Sequence, residues 1–143
     1  MRLEIHELEA LAARIRLRSV RMVHRARSAH VGSSLSMADL LAALYGRILR
    51  VDPARPDLAD RDRFILSKGH ACAGLYATLA FRGFFPEEWL DTFYQDGGKL
   101  AGHATRGSAP GIEVSTGSTF ASPARLSAKR IPAAPASFAR SAF

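Results

Sequence analysis

The chain has 143 residues, 48% of them hydrophobic and 23% charged, with a formal net charge of +7, proportions that fit one globular domain and leave too little for two. Charges interrupt every hydrophobic segment, so no run approaches the roughly 18 apolar residues that read as a membrane span. The single cysteine, Cys72, excludes an internal disulfide, and with no basic-then-apolar leader at the start the expected compartment is reducing and cytoplasmic.

The basic excess is uneven. Arg125, Lys129, Arg130 and Arg140 follow Ser118 with no acid among them, and the rest of the chain holds 16 basic and 13 acidic residues. Much of the charge therefore belongs to the stretch with the weakest folding pattern.

Ile5, Leu8, Leu11, Ala12, Ile15, Met22 and Val23 recur mostly three or four apart, which predicts an amphipathic helix. Arg14, Arg18, Arg21 and Arg25 fall on one side of it. Such a stripe is either a solvated face or a phosphate-binding surface; the absence of stacking aromatics and the presence of Glu4, Glu7 and Glu9 favour the solvated face. Nucleic acid is accordingly not an expected partner.

Ser28 to Ser34 predicts a polar turn that carries His30. Ser36, three residues before Asp39, forms a variant capping box that opens a second helix through Met37, Leu40, Leu41, Leu44 and Ile48. Asp52-Pro53 closes it, because proline disfavours helical geometry in the residue before it.

Arg63 to Leu66 predicts a short apolar strand ending in the Gly69 turn, and Ala71 to Phe81 a small-residue helix stopped by Gly83. Strand, tight turn and helix open a parallel α/β unit, whose ligands gather at the carboxyl ends of strands. His70 stands at that end. Pro86 to Tyr94 predicts another short helix with Trp89, Leu90 and Phe93 on its apolar side. Gly97, Gly98 and Gly102 then lead to His103. Pro110 to Ser118 reads as an Ile/Val strand running into a small polar turn, where backbone can approach a flat ligand.

His30, His70 and His103 each lie in a Gly- or Ser-containing turn. Imidazole exchanges protons near neutral pH and donates hydrogen bonds to phosphate or sugar hydroxyls. Zinc is weakly supported, since the three are 33 to 40 residues apart and form no close-spaced ligand pair.

Four of these segments in this order, Ser28-Ala29-His30-Val31-Gly32-Ser33-Ser34-Leu35-Ser36-Met37-Ala38-Asp39, Leu66-Ser67-Lys68-Gly69-His70-Ala71, Leu100-Ala101-Gly102-His103 and Pro110 to Ser118, resemble the amino-terminal subunit or domain of transketolases. The resemblance covers residues 8–118. It implies an α/β fold, the opening part of a thiamine diphosphate-binding domain over 1–118, with helices flanking an incomplete parallel sheet. It implies that His30 lies beside the thiazolium carbon and assists proton transfer on the sugar, that His70 reaches the diphosphate, and that His103 hydrogen-bonds the ketose hydroxyls. The catalytic and substrate-binding residues would then be His30 and His103; those at the cofactor would be His70, Gly117 and Ser118, with the turn at Gly117 packing its backbone on the aminopyrimidine. It further implies a two-carbon ketol transfer between ketose and aldose phosphates, a carboxy-terminal subunit and a second copy as partners, and an activating glutamate supplied from a separate domain.

The likeness stops near Ser118. The family continues with Leu-Gly, a glycine-rich helix and a Gly-Asp-Gly segment with an asparagine that hold Mg²⁺ or Ca²⁺, and this sequence shows no such metal ligands. Residues 119–143 contain eight alanines, four serines and three prolines and neither glycine nor acid, a composition that predicts a disordered end. The expected cause of the break is a change of reading frame near residue 119, since Phe138 to Phe143 can be back-translated so that a neighbouring frame is similar to the strand before that Gly-Asp-Gly. On this reading the chain is inactive alone. The alternatives are a fragment similar to deoxyxylulose phosphate synthase, against which Ser67 to His70 and Pro110 to Ser118 speak, a small basic nucleic-acid-binding protein, and a product with no function.

Overall fold

The structure is a computed structural model that describes residues 2–117 and the strand at 126–129. Helix α1 (Ile5–Arg25) buries Leu11, Ala12, Ile15, Ser19, Met22 and Val23, the stripe that its apolar spacing dictates. Its first turn is fixed by the Glu4 N–H, which donates to the Glu7 carboxylate at 2.8 Å. Helices α2 (Val31–Ser36) and α3 (Ala38–Ala43) follow, and α3 runs directly into a π-helical turn at Leu44–Ile48.

The single helix expected from Ser36 to Ile48 is therefore two elements and a widened turn. The Ser36 hydroxyl donates back to the Ser33 carbonyl at 3.0 Å, closing α2 where the expected capping box would have opened α3. Leu3 and Leu8 pack directly on Gly46 within that wide turn, where an added Cβ would lie 3.2 Å from Leu3 Cδ1 and closer still to Leu8. The Leu3 N–H donates to the Gly46 carbonyl at 2.9 Å.

Strand β1 (Arg63–Leu66) leads through a 3₁₀ turn at Gly69–Ala71 into helix α4 (Cys72–Phe81). Every residue of α4 from Cys72 to Ala80 is buried, as expected of a helix apolar on all sides. It is the centre of the core, with α1, α2 and α3 against it. Ile15, Leu41, Tyr76 and Leu79 are completely enclosed, and each aliphatic side chain so buried contributes on the order of 1.5–3 kcal/mol before ordering entropy is counted.

The expected helix at Pro86 to Tyr94 is a 3₁₀ helix, Glu87–Thr92. It explains the arginine stripe of α1. Arg14 pairs with Glu87, and Arg18 and Arg25 both pair with Asp91. Arg14 also lies over the Phe81 ring at 4.1 Å. The stripe is thus a mostly solvated face whose arginines also pair with the 87–92 segment, and only Arg18 is largely covered.

Among the described residues the sheet is not parallel. Strand β2 (Leu126–Lys129) pairs antiparallel with β1, with Arg63 opposite Lys129 and Leu66 opposite Leu126. A parallel neighbour needs a strand returning after a crossover helix, and the segment expected to supply one forms no strand over residues 110–117, where a turn and irregular loop stand instead. Gly111 takes φ 87°, and Glu113 is drawn to two arginines, with Arg61 Nη1 at 2.6 Å and Arg63 Nε at 3.5 Å. That buried pairing ties the segment to β1 by side chains, leaving no backbone ladder. The expected disordered end at 119–143 lies outside the described residues apart from 126–129.

Candidate functional site

His30 is the residue preceding α2 and holds φ 71°, the left-handed region. For a residue with a Cβ that conformation costs roughly 1–2 kcal/mol. The turn before it is set by the Ser28 N–H donating to the Val23 carbonyl at 3.1 Å, which ends α1. His70 occupies the 3₁₀ turn after β1, where the Ala71 N–H donates to the Lys68 carbonyl at 2.9 Å.

These two turns bring the imidazoles of His30 and His70 to a centroid separation of 4.6 Å at 43°. The His70 Nδ1 is buried and has no hydrogen-bond partner. Burial first, then the neighbouring His30, Lys68 and His103, holds its pKa below the ordinary imidazole value. A neutral His70 with an unsatisfied nitrogen is suited to donate to an anion or accept from a ligand.

His103 joins the pair from the glycine-rich loop after residue 92. Its carbonyl accepts from the Tyr76 hydroxyl at 3.1 Å and from Thr105 Oγ1 at 3.1 Å, so the buried face of α4 fixes its backbone while the side chain remains exposed. Tyr94, at φ 51°, lays its ring against Gly102, where an added Cβ would lie 2.5 Å and 3.0 Å from ring carbons. Beside this loop a cleft of about 570 Å³ is lined by Tyr94, Lys99, Gly102 and Thr105 among others, and by none of the three histidines.

The fourth part is backbone. A Cβ on Gly69 would stand 2.6 Å from the Thr116 carbonyl carbon and 2.9 Å from Gly117 N, so glycine is what lets the His70 turn touch the 116–117 segment. That segment is held by the Thr116 N–H donating to the Ala104 carbonyl at 2.9 Å. Thr116 Oγ1 is buried without a partner. Two orphaned polar atoms in one site, in a protein interior where such groups are almost always bonded, mark a place that suits a polar ligand.

The structure thus gathers His30, His70, His103 and Gly117, while Ser118 lies outside the described residues. Sequence reasoning missed the residues that hold them. Ser34 is the one buried residue of α2, Tyr76 carries a polar group in the apolar helix α4, and Cys72 donates its thiol to the Gly102 carbonyl at 3.1 Å. Burial pushes that thiol up to about 12, so it stays protonated and serves as a donor. One signal was present: a polar residue in a run of small and apolar ones either bonds internally or is costly. Among the described residues no group of three or more His, Cys, Asp or Glu could hold a metal ion, and no helix is long and apolar enough to cross a membrane.

Helices around a short strand, with glycine turns that bring backbone up to clustered histidines, make up this part of the fold. The chain belongs to the family described as transketolase, thiamine diphosphate binding domain, whose model matches residues 8–122. It is 43% identical over 115 residues to one of the subunits of apulose-4-phosphate transketolase from Phocaeicola vulgatus, covering 80% of this chain and 41% of that protein. It is 44% identical over 109 residues to the transketolase of Sinorhizobium medicae, covering 75% of this chain and 16% of the other. Among solved structures, transketolase from Leishmania mexicana superposes with a TM-score of 0.75 at 35% identity, over 82% of this chain and 17% of that one. The chain therefore spans less than half the length of these relatives.

Proposed function

We propose that the cluster of His30, His70 and His103 binds thiamine diphosphate and that, in an enzyme completed by further domains or a partner subunit, it serves ketol transfer between sugar phosphates. The observation that carries this reading is the unsatisfied His70 Nδ1 beside the Gly69–Thr116–Gly117 contact. His70 and the backbone N–H groups of its turn would hold the diphosphate, with Gly117 and an unpartnered Thr116 hydroxyl toward the ring. The bound cofactor supplies the electron sink for breaking the carbon–carbon bond.

The protein's own part is position and proton exchange. His30, in ring contact with His70, would move a proton on the sugar. His103, anchored through its carbonyl by Tyr76 and Thr105, would bond sugar hydroxyls. We assign the remaining sheet of an α/β fold, the metal ligands (Mg²⁺ or Ca²⁺) and an activating glutamate to parts outside the described residues. Partners of the completed enzyme would be a second copy, a carboxy-terminal transketolase subunit and the sugar phosphates.

Two-dimensional NMR of the full chain tests the reading at the weak affinity expected when a diphosphate meets only one histidine and backbone amides. Thiamine diphosphate should perturb His30, His70, Thr116 and Gly117, and thiamine without the diphosphate should leave His70 unmoved. Perturbations confined to other surfaces would overturn it.

A further inference from the structure

Helix α4 begins without a cap of its own. Ala71 stands at its N-cap and offers no side-chain acceptor, although the first N–H groups of a helix have no partner within it. The Gly74 N–H is one of these, and it donates to Ser34 Oγ at 3.3 Å. The same hydroxyl donates to the Ala71 carbonyl at 3.2 Å. Ser34 belongs to α2, four residues after His30, and is completely buried.

The fit between the two helices is close. Gly74 has no side chain, and a Cβ built there would sit 3.4 Å from both Ser34 Cα and Ser34 Cβ, ordinary contact with no room to spare. One hydroxyl therefore uses its donor and an acceptor lone pair on two backbone groups of the same helix start. In this buried setting the Gly74 N–H would otherwise lack a partner, and the second bond to the Ala71 carbonyl fixes the direction of the hydroxyl, which makes the contact specific in geometry as well as favourable.

We propose that Ser34 is a positioning residue for the His30–His70 pair: its hydroxyl locks the helix that starts at His30 onto the turn that carries His70. The left-handed backbone at His30 fixes where α2 begins, the Ser34 bridge fixes α2 against α4, and the 3₁₀ turn Gly69–Ala71 carries His70 into that junction. The use of the pair rests on the function proposed above, whereas the geometry is testable without any ligand. The groups that face His70 are His30, Lys68 and His103, and loosening the bridge relieves both its burial and its closeness to His30.

The test is proton NMR titration of the imidazoles in the full chain, with amide hydrogen exchange at Gly74, for wild type, S34A and S34T. In S34A the His70 midpoint should rise toward the ordinary imidazole value and Gly74 exchange should quicken about five- to tenfold, the loss of one hydrogen bond. S34T, which keeps the hydroxyl, should titrate like wild type. An S34A chain that melts earlier while His70 titrates unchanged would make Ser34 a packing residue only and overturn the proposal, as would an S34T that titrates like S34A. Should S34A fail to fold, S34C keeps the volume with a weaker acceptor and is read by the same two outcomes. Failure of thiamine diphosphate to reach this cluster would leave the Ser34 result intact, so the two claims fail separately.

Discussion

The rings of His30 and His70 stand 4.6 Å apart although 40 residues separate them in the chain. Neither turn alone creates a site. The pair exists because α2 and α4 pack against each other through Ser34 and Gly74, two positions too small to hold the helices apart.

The pair gives the fold a pH dependence. His70's proton is disfavoured in the folded chain, chiefly by burial and then by His30, Lys68 and His103, so its folded midpoint lies below the ordinary 6.5. Between that folded midpoint and 6.5 the unfolded chain binds more protons, and stability therefore rises with pH across this window. The contribution is fully present above it and lost as the pH falls through the folded value. Urea denaturation across the window should show this slope, and His70→Gln should flatten it; an identical slope in the variant would assign the dependence to another group.

Backbone conformation at His30 is separable from its chemistry. At φ 71° a glycine is unstrained and an alanine is not, so His30→Gly should be more stable than His30→Ala by about 1 kcal/mol. Equal denaturation midpoints would mean that the left-handed turn is not held in solution.

Gly69 should tolerate no side chain. A Cβ there meets the backbone of Thr116 and Gly117, atoms that cannot rotate away, so Gly69→Ala should cost about 1–3 kcal/mol and shift the 116–117 amide resonances. Gly32→Ala is the control, since among the described residues nothing lies within 4 Å of its Cβ position. A Gly69→Ala chain as stable as that control would refute the contact.

Glu113 should prove the most sensitive charge. It is 13% exposed and neutralises Arg61, itself 8% exposed, as well as Arg63. Removing Glu113 leaves the buried Arg61 charge with only the Pro56 and Asp62 carbonyls as partners among the described residues, so Glu113→Ala should destabilise by about 3 kcal/mol. The exposed pair Arg14–Glu87 should by contrast give about 1 kcal/mol or less in a double-mutant cycle. Chemical denaturation checks both, and a cost for Glu113→Ala as small as that of the exposed pair would show that water reaches this carboxylate.

The His103 carbonyl is tied to the core by Tyr76 and within its own loop by Thr105. Tyr76→Phe removes the hydroxyl that holds the His103 carbonyl and should cost about 1 kcal/mol, with the resonances of residues 101–105 broadened or shifted. Unchanged resonances there would show that the loop is fixed by other contacts, such as the Cys72 thiol on Gly102.

Much of this protein was legible in its sequence. The apolar spacing of Ile5 to Val23 dictated α1, the run of small residues from Ala71 to Phe81 dictated a buried helix, and the four motifs together pointed to the family. Those features are local, set by helical period and by turn chemistry. What the tertiary structure decided was non-local. Gly46, in the π turn that ends α3, admitted Leu3 and Leu8. Glu113 met Arg61, 52 residues away, and Arg63 beside it, and an expected strand became a tethered loop. The arginine stripe of α1 found Glu87 and Asp91. In each case the partner lies far along the chain, and periodicity, which registers only neighbours within a few residues, carries no information about which distant group will arrive.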